Sequence, residues 1–196
     1  MHQQPIAMEI FQHIRIVLGI VLGLSMARLL NGIARIVQHP TRYRTYSAHL
    51  VWVATLMLTL IHFWWWEFAL SGIQKWTFPI YLFLVIYVTL LFFLCVLLFP
   101  DDINEYGSYE DFFISRRKWF YSIFAITILF DLIDTLIKGQ AHYATFAGEY
   151  PFRVPAYVFL CAIAIYTPNR WFHLIFAAAG FVYELSWISR LFNTLQ

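Results

Sequence analysis

Residues 76–100 read WTFPIYLFLVIYVTLLFFLCVLLFP, and no charged side chain occurs between Lys75 and Asp101. At about 1.5 Å per helical residue, a run of this length crosses the ~30 Å hydrocarbon of a bilayer, and it is too long for a buried strand. The remainder of the 196-residue chain follows suit, being 61% apolar, 20% aromatic and only 12% charged. A soluble domain carries roughly twice that charged fraction. Too few charges remain to cover a water-facing surface, which excludes soluble enzymes, nucleic-acid readers, disordered tails and disulfide-stapled secreted domains.

Working outward from this stretch, the sequence predicts an all-α, polytopic helical membrane bundle of six transmembrane helices with no extramembrane domain. The spans fall at about 11–37, 47–70, 77–100, 119–138, 154–167 and 171–191, the fifth being short for a bilayer. The whole chain, 1–196, is read as one transmembrane domain. The N-terminal MHQQPIAMEIFQHIRI has no basic stretch before its apolar run and no small-residue cleavage site, and is expected to be mature sequence. Indoles favour the headgroup boundary. Trp64, Trp65, Trp66, Trp76 and Trp187 are therefore expected at one rim, with Trp119, Trp171 and Trp52 at the other.

Lys and Arg near the span ends set orientation. One side holds Arg35, Arg42, Arg44, Arg116, Arg117, Lys118 and Arg170, seven in all; the other holds Arg15, Lys75, Lys138, Arg153 and Arg190. The expected location is a cell (inner) membrane, multi-pass, with both termini on the non-cytoplasmic side. The segments RLLNG and DTLIKG at the ends of helices one and four match too weakly to mark an inverted repeat. Net charge is +2, which argues for no nucleic-acid partner. Cys95 and Cys161 lie in apolar runs, where a thiol acts as a small hydrophobe.

Ionisable groups inside hydrocarbon cost about 2.5–3.5 kcal/mol each on insertion scales and need a partner or water. His62, Asp131 and Glu184, from three different spans, all fall about 7–11 Å below the outer boundary. Helical phase groups them further. Thr55, Thr59, His62 and Trp66 share one face; Thr127, Asp131, Asp134 and Lys138 share another; His173, Ala177, Gly180 and Glu184 share a third. These stripes are expected to converge on a polar cavity lined by His62, Asp131, Asp134, Glu184 and Thr59, with Arg15 and Lys138 balancing the acids near its mouth. The alternative is that the same side chains are interhelical glue, with Asp134 and Lys138 forming an i,i+4 pair.

Helix one shows two faces. Gly19, Gly23 and Ala27 form a small-residue ridge, expected to seed a homo-oligomer, while Ser25, Arg28, Gly32 and Arg35 lie well away from it. The helix is therefore expected either at the centre of the bundle or at an oligomer seam. Arg28 lies about 10–12 Å from the inner end with its side chain starting away from the nearer headgroups. It is a candidate binding residue for an anion or lipid phosphate; the bland alternative bonds it to backbone carbonyls and Asn31.

Asp131-Leu-Ile-Asp134 resembles the DxxD of the CDP-alcohol phosphotransferases over four residues. The glycine, Ala-Arg pair and two further aspartates that continue the family pattern are missing downstream of Asp134. The family is not assigned, although two carboxylates and a histidine leave a metal site open. Haem ligation through His49 and His173, both near the inner boundary, is disfavoured because interfacial histidines more often meet headgroups. GxSG and HExxH are absent, and no reaction is assigned. Residues 101–118, acidic then basic, are expected to include an amphipathic helix and to offer the docking surface for a protein partner.

The reading that follows is a channel or small transporter for a cation or small solute. The alternatives are a membrane-embedded sensor or ligand- or lipid-binding protein, and a non-catalytic subunit of a larger complex.

Overall fold

A computed structural model describes residues 3–39 and 44–192; Arg42, one of the orientation markers, lies outside them. Seven α-helices follow in order among the described residues: α1 (Gln3–Gln38), α2 (Ser47–Trp66), α3 (Phe78–Val96), α4 (Tyr109–Ile137), α5 (Gln140–Phe146), α6 (Tyr150–Tyr166) and α7 (Arg170–Phe192). A 3-10 turn, Glu67–Gly72, extends α2, and another, Ile103–Glu105, follows α3.

Five of these, within α1, α2, α3, α4 and α7, are long and apolar enough to cross a bilayer. α6 is apolar but has 17 residues, about 26 Å at helical rise. Five of the six expected spans thus meet the length of a bilayer crossing, and α6, at the place of the fifth expected span, is shorter. The starts also move. α4 begins ten residues before Trp119, because Ser108 caps it: the Ser108 hydroxyl accepts from the Asp111 amide at 3.1 Å and donates to the Asp111 carboxylate at 2.5 Å. α6 runs straight through Pro155, since the ring removes a single backbone donor near the first turns of a helix that is packed on α4. α5 was not expected at all. Gly139, at φ +110°, turns the chain out of α4 and into it, a conformation that suits glycine.

The helices alternate in direction, so one end of the bundle collects the starts of α1, α3 and α6 and the ends of α2, α4 and α7. We call this the terminal end, and the opposite end the loop end. α2 is the central helix, packing against α1, α3, α4 and α7. α1 is not central: Leu18, Leu22 and Leu29 face α2 and α3, while Ile16, Ile20, Leu24 and Leu30 are exposed. Its expected small-residue ridge is divided. Gly19 sits inside the bundle against Trp64, with a Cβ there meeting the indole at 3.2 Å, whereas Gly23 has open space beside it. Gly32 is required by close approach, since a Cβ would stand 2.4 Å from the Phe99 ring.

The loop end is closed by aromatic packing. Trp52, expected at a boundary, is instead fully buried among Phe120, Tyr121, Phe124 and Phe176. Trp119 and Trp171 are exposed, as boundary indoles should be.

Candidate functional site

A cavity of about 120 Å³ lies between α2, α4, α6 and α7, with Tyr87, Leu91 and Leu94 of α3 completing its wall, and its polar side chains lie in the terminal half of the bundle. That is room for several water molecules. The stripe on α2 faces it in full: Thr55, Thr59, His62 and Trp66 are all in its wall. α4 contributes Thr127 and Asp131, and α7 contributes Gly180 and Glu184. The structure therefore brings together four of the residues singled out by sequence, Thr59, His62, Asp131 and Glu184, at one depth.

The two carboxylates in the wall are held differently. Asp131 accepts from the Arg153 guanidinium and from the Tyr150 hydroxyl at 3.0 Å. Arg153 is in turn sandwiched by Tyr150 and Trp187, its carbon 4.5 and 4.7 Å from their ring centroids. Glu184 makes no ion pair among the described residues; the Thr59 hydroxyl lies 2.8 and 3.0 Å from its two oxygens. The same hydroxyl lies 3.0 Å from the Thr55 carbonyl, an alternative acceptor for its single proton.

Asp134 does not reach the cavity. It points behind the wall, where its Oδ2 accepts from Lys138 at 2.5 Å and from the Trp66 indole at 3.2 Å. Lys138 also donates to Glu67 at 3.0 Å. The side chains of this Glu67–Lys138–Asp134 group are at most 1% exposed. One oxygen of each acid, Glu67 Oε2 and Asp134 Oδ1, has no hydrogen-bond partner among the described residues. The DxxD carboxylates thus diverge to separate cations. No group of three or more His, Cys, Asp or Glu side chains among the described residues has metal-binding geometry, which removes the two-carboxylate, one-histidine metal site.

Arg28 and Arg15 belong elsewhere. Arg28 reaches the loop end, donating to the Phe99 carbonyl at 2.7 Å and to Asp101 at 2.6 Å, so it satisfies the end of α3. Its tilt toward the bundle centre is overcome by the length of the side chain and by this acceptor pair. Arg15 balances none of the acids; its guanidinium lies over Phe68, Trp64 and Phe11, 4.1, 4.6 and 5.6 Å from their ring centroids.

The two histidines of the haem reading are each committed. His49 Nε2 donates to the Leu98 carbonyl at 2.5 Å and the ring stacks on Tyr109. His173 closes a chain: Trp52 Nε1 donates to the Tyr121 hydroxyl at 3.2 Å, that hydroxyl donates to His173 Nδ1 at 3.0 Å, and Nε2–H donates to the Thr167 carbonyl at 3.0 Å. This tautomer is the one that satisfies every member. Nearby, burial and then Glu110 push the Tyr46 phenol up to about 12, keeping it a donor to the Arg170 carbonyl at 3.0 Å. In the 101–118 segment, Asp101 pairs with Arg28 of α1 and Arg116 donates to the Tyr106 hydroxyl at 2.8 Å.

α5 roofs the cavity. The Phe146 ring sits 5.0 Å from Trp66 and 5.5 Å from Trp187, both of which are cavity walls. His142 on the same helix packs 5.0 Å from Trp66. Burial and then Lys138 hold it below the usual histidine range, so it is neutral at pH 7.

Four contributors, Glu67, Tyr150, Arg153 and Tyr157, were not foreseen. Glu67 was the sole carboxylate within the second span. Arg153 stood just outside the predicted start of helix five. Tyr150, Arg153 and Tyr157 at i, i+3 and i+7 would have revealed one face of α6 had the helix been started earlier. No family model, curated protein or solved structure matches the chain.

Proposed function

We propose that the protein is a carrier for a small cation or small hydrogen-bonding solute, which it holds in the cavity between α2, α4, α6 and α7. The observation that carries this reading is Glu184. A carboxylate in hydrocarbon without a cation is costly, and this one faces an aromatic-walled space while its neighbour Asp131 already has Arg153. Among the charged side chains in and directly behind the cavity wall, four carboxylates (Glu67, Asp131, Asp134, Glu184) stand against two cations, Lys138 and Arg153. The imbalance favours uptake of positive charge. A tryptophan- and tyrosine-rich wall suits the same class of ligand.

A carrier suits the arrangement better than an open channel, because the aromatic packing around Trp52 closes the loop end beneath the cavity. A second reading, a membrane-embedded sensor or ligand-binding protein, draws support from the α5 roof that closes the other end. We assign the terminal end to the non-cytoplasmic side. With Lys138 and Arg153 drawn into buried pairs, the positive-inside comparison becomes seven against three, Arg15, Lys75 and Arg190. The exposed strip of α1 at Gly23 and Ala27 would serve a homo-oligomer or a larger complex.

Methylammonium uptake into liposomes tests the carrier reading. Wild-type protein is expected to move it, with a loss of at least tenfold in Glu184→Gln and in Thr59→Val. Folded protein that moves none, or a Glu184→Gln variant as active as wild type, overturns it.

A further inference from the structure

The cavity has a side opening. Between α6 and α7 runs a groove of about 490 Å³. Its lipid-facing part is apolar, formed by Phe152, Ala156, Leu160 and Ala179 over the buried Phe176, and its terminal end is Gly148 and Glu149, whose carboxylate is already met by Arg190 and the Tyr183 hydroxyl. Its inner part is Arg153, Tyr157, Gly180 and Tyr183, and all four of these also line the cavity. The groove exists because the two helices have different partners: α6 packs on α4 and α7 on α2, with little contact between them. Small residues keep the seam open. Ala156 and Ala179 are exposed on either side, and at Gly180 a Cβ would stand 3.6 Å from the Tyr157 hydroxyl, in ordinary contact, where a longer side chain would fill the passage.

This seam lies along apolar helices, so what meets it is acyl chain rather than water. The direct path from the aqueous phase is covered by α5, whose Phe146 bridges Trp66 and Trp187. A ligand reaching Glu184 by the uncovered path therefore starts in the bilayer. It must carry an apolar portion to reside there and a cationic portion to complement Glu184. Arg153 does not invite an anionic head instead, because its guanidinium is already committed to Asp131 and to two aromatic faces. A phosphate would add to an excess of negative charge.

Resting on the carrier reading of the same cavity, we propose that the ligand is an amphiphile with one protonated amine, its head against Glu184 and its alkyl chain in the groove between α6 and α7. The ammonium donates to the carboxylate, and the chain runs past Gly180 and Tyr157 to the lipid-facing gap beside Ala156 and Ala179. Charge complementarity fixes the head, and the residues shared by cavity and groove fix the continuity of the site.

Binding of hexadecylamine, hexadecanol and methylammonium to purified protein in detergent micelles tests this. Hexadecylamine is expected to bind saturably and at least tenfold tighter than either hexadecanol or methylammonium. Glu184→Gln should remove the advantage over hexadecanol. Ala179→Phe, on the exposed side of α7 and outside the cavity wall, should weaken hexadecylamine at least tenfold while leaving methylammonium unchanged. Methylammonium bound or transported with no gain from the alkyl chain overturns this inference and leaves the carrier reading standing. Binding of neither amine to folded protein overturns both, as does equal binding of hexadecylamine and hexadecanol together with an inert Glu184→Gln.

Discussion

The two halves of the bundle use the same central helix and opposite strategies. Toward the loop end, the polar side chains of the core are uncharged types and each makes at least one hydrogen bond: Ser25 on the Val21 carbonyl, His49 on Leu98, and the Trp52–Tyr121–His173–Thr167 chain. Toward the terminal end, seven ionisable side chains (His62, Glu67, Asp131, Asp134, Lys138, Arg153 and Glu184) lie in or behind the wall of a cavity, with acids in excess. A satisfied neutral network rigidifies a core at little risk, whereas a buried charge is costly unless fully matched. The loop half is built to stay closed, and the terminal half keeps charge at a cost that stability alone does not explain.

The largest effect should come from breaking the charge balance of the dry group behind the cavity. Lys138→Met leaves Glu67 and Asp134 facing one another without their shared cation, and losing one partner of a buried pair costs about 3–5 kcal/mol. Thermal unfolding in detergent should show this as the largest drop among these variants. The triple change Lys138→Met, Glu67→Gln, Asp134→Asn should recover much of it, because no buried charge is left unpaired. Equal loss in the single and triple variants would mean that Lys138 acts through packing and not through charge.

The corresponding lesion in the loop half should be milder. Tyr121→Phe keeps the ring and removes the hydroxyl that links Trp52 Nε1 to His173 Nδ1. Two buried groups then lack partners, at about 1–3 kcal/mol for such unsatisfied groups. Methylammonium uptake should be unchanged, since Tyr121 lies outside the cavity wall. A loss of uptake comparable to that of Glu184→Gln would erase the functional distinction between the halves.

Glu184→Gln sharpens the contrast from the other side. The amide has the same shape and can still meet Thr59, so stability should move by less than about 1 kcal/mol, while uptake falls at least tenfold. A stability loss as large as that of Lys138→Met would make Glu184 structural glue.

What the sequence made legible follows from the same energetics. His62, Asp131 and Glu184 could be placed at one depth because hydrocarbon penalises every ionisable side chain, so each exception is informative and helical phase then aligns it. Glu67 escaped notice because it stands at a run of tryptophans that reads as a membrane boundary. Arg153 escaped because Pro155 suggested that the helix starts later, and Pro near a helix start is as compatible with continuing as with beginning. α5 was illegible: QAHYATF has no apolar run, and its helical form depends on packing Phe146 between Trp66 and Trp187. For Arg28 a backbone-carbonyl partner was legible, and the Phe99 carbonyl is one, whereas Asp101 was not, since it is brought beneath Arg28 only when α1 packs on α3.

The smallest effect belongs at the wet rim of the terminal half, where Glu149 pairs with Arg190 and accepts from the Tyr183 hydroxyl at 2.8 Å. This pair tethers the turn between α5 and α6 to the end of α7. The Arg190 hydrogen bond holds the Glu149 carboxyl below its ordinary range, against a small opposing effect of burial. A carboxyl whose pKa is depressed on folding adds stability that is present above its unfolded value and is lost as pH falls through the folded value. Both partners are largely exposed, so water and salt screen the attraction. The melting temperature of Glu149→Gln should therefore lie slightly below wild type at pH 7, and the two curves should converge below about pH 4, the ordinary carboxylate range. High salt at pH 7 should narrow the same gap, whereas it should leave the Lys138→Met deficit unchanged because that group is dry. Curves that stay parallel from pH 7 to 3, or a Lys138→Met deficit that salt abolishes, would show that the rim and the interior of this half are not electrostatically distinct.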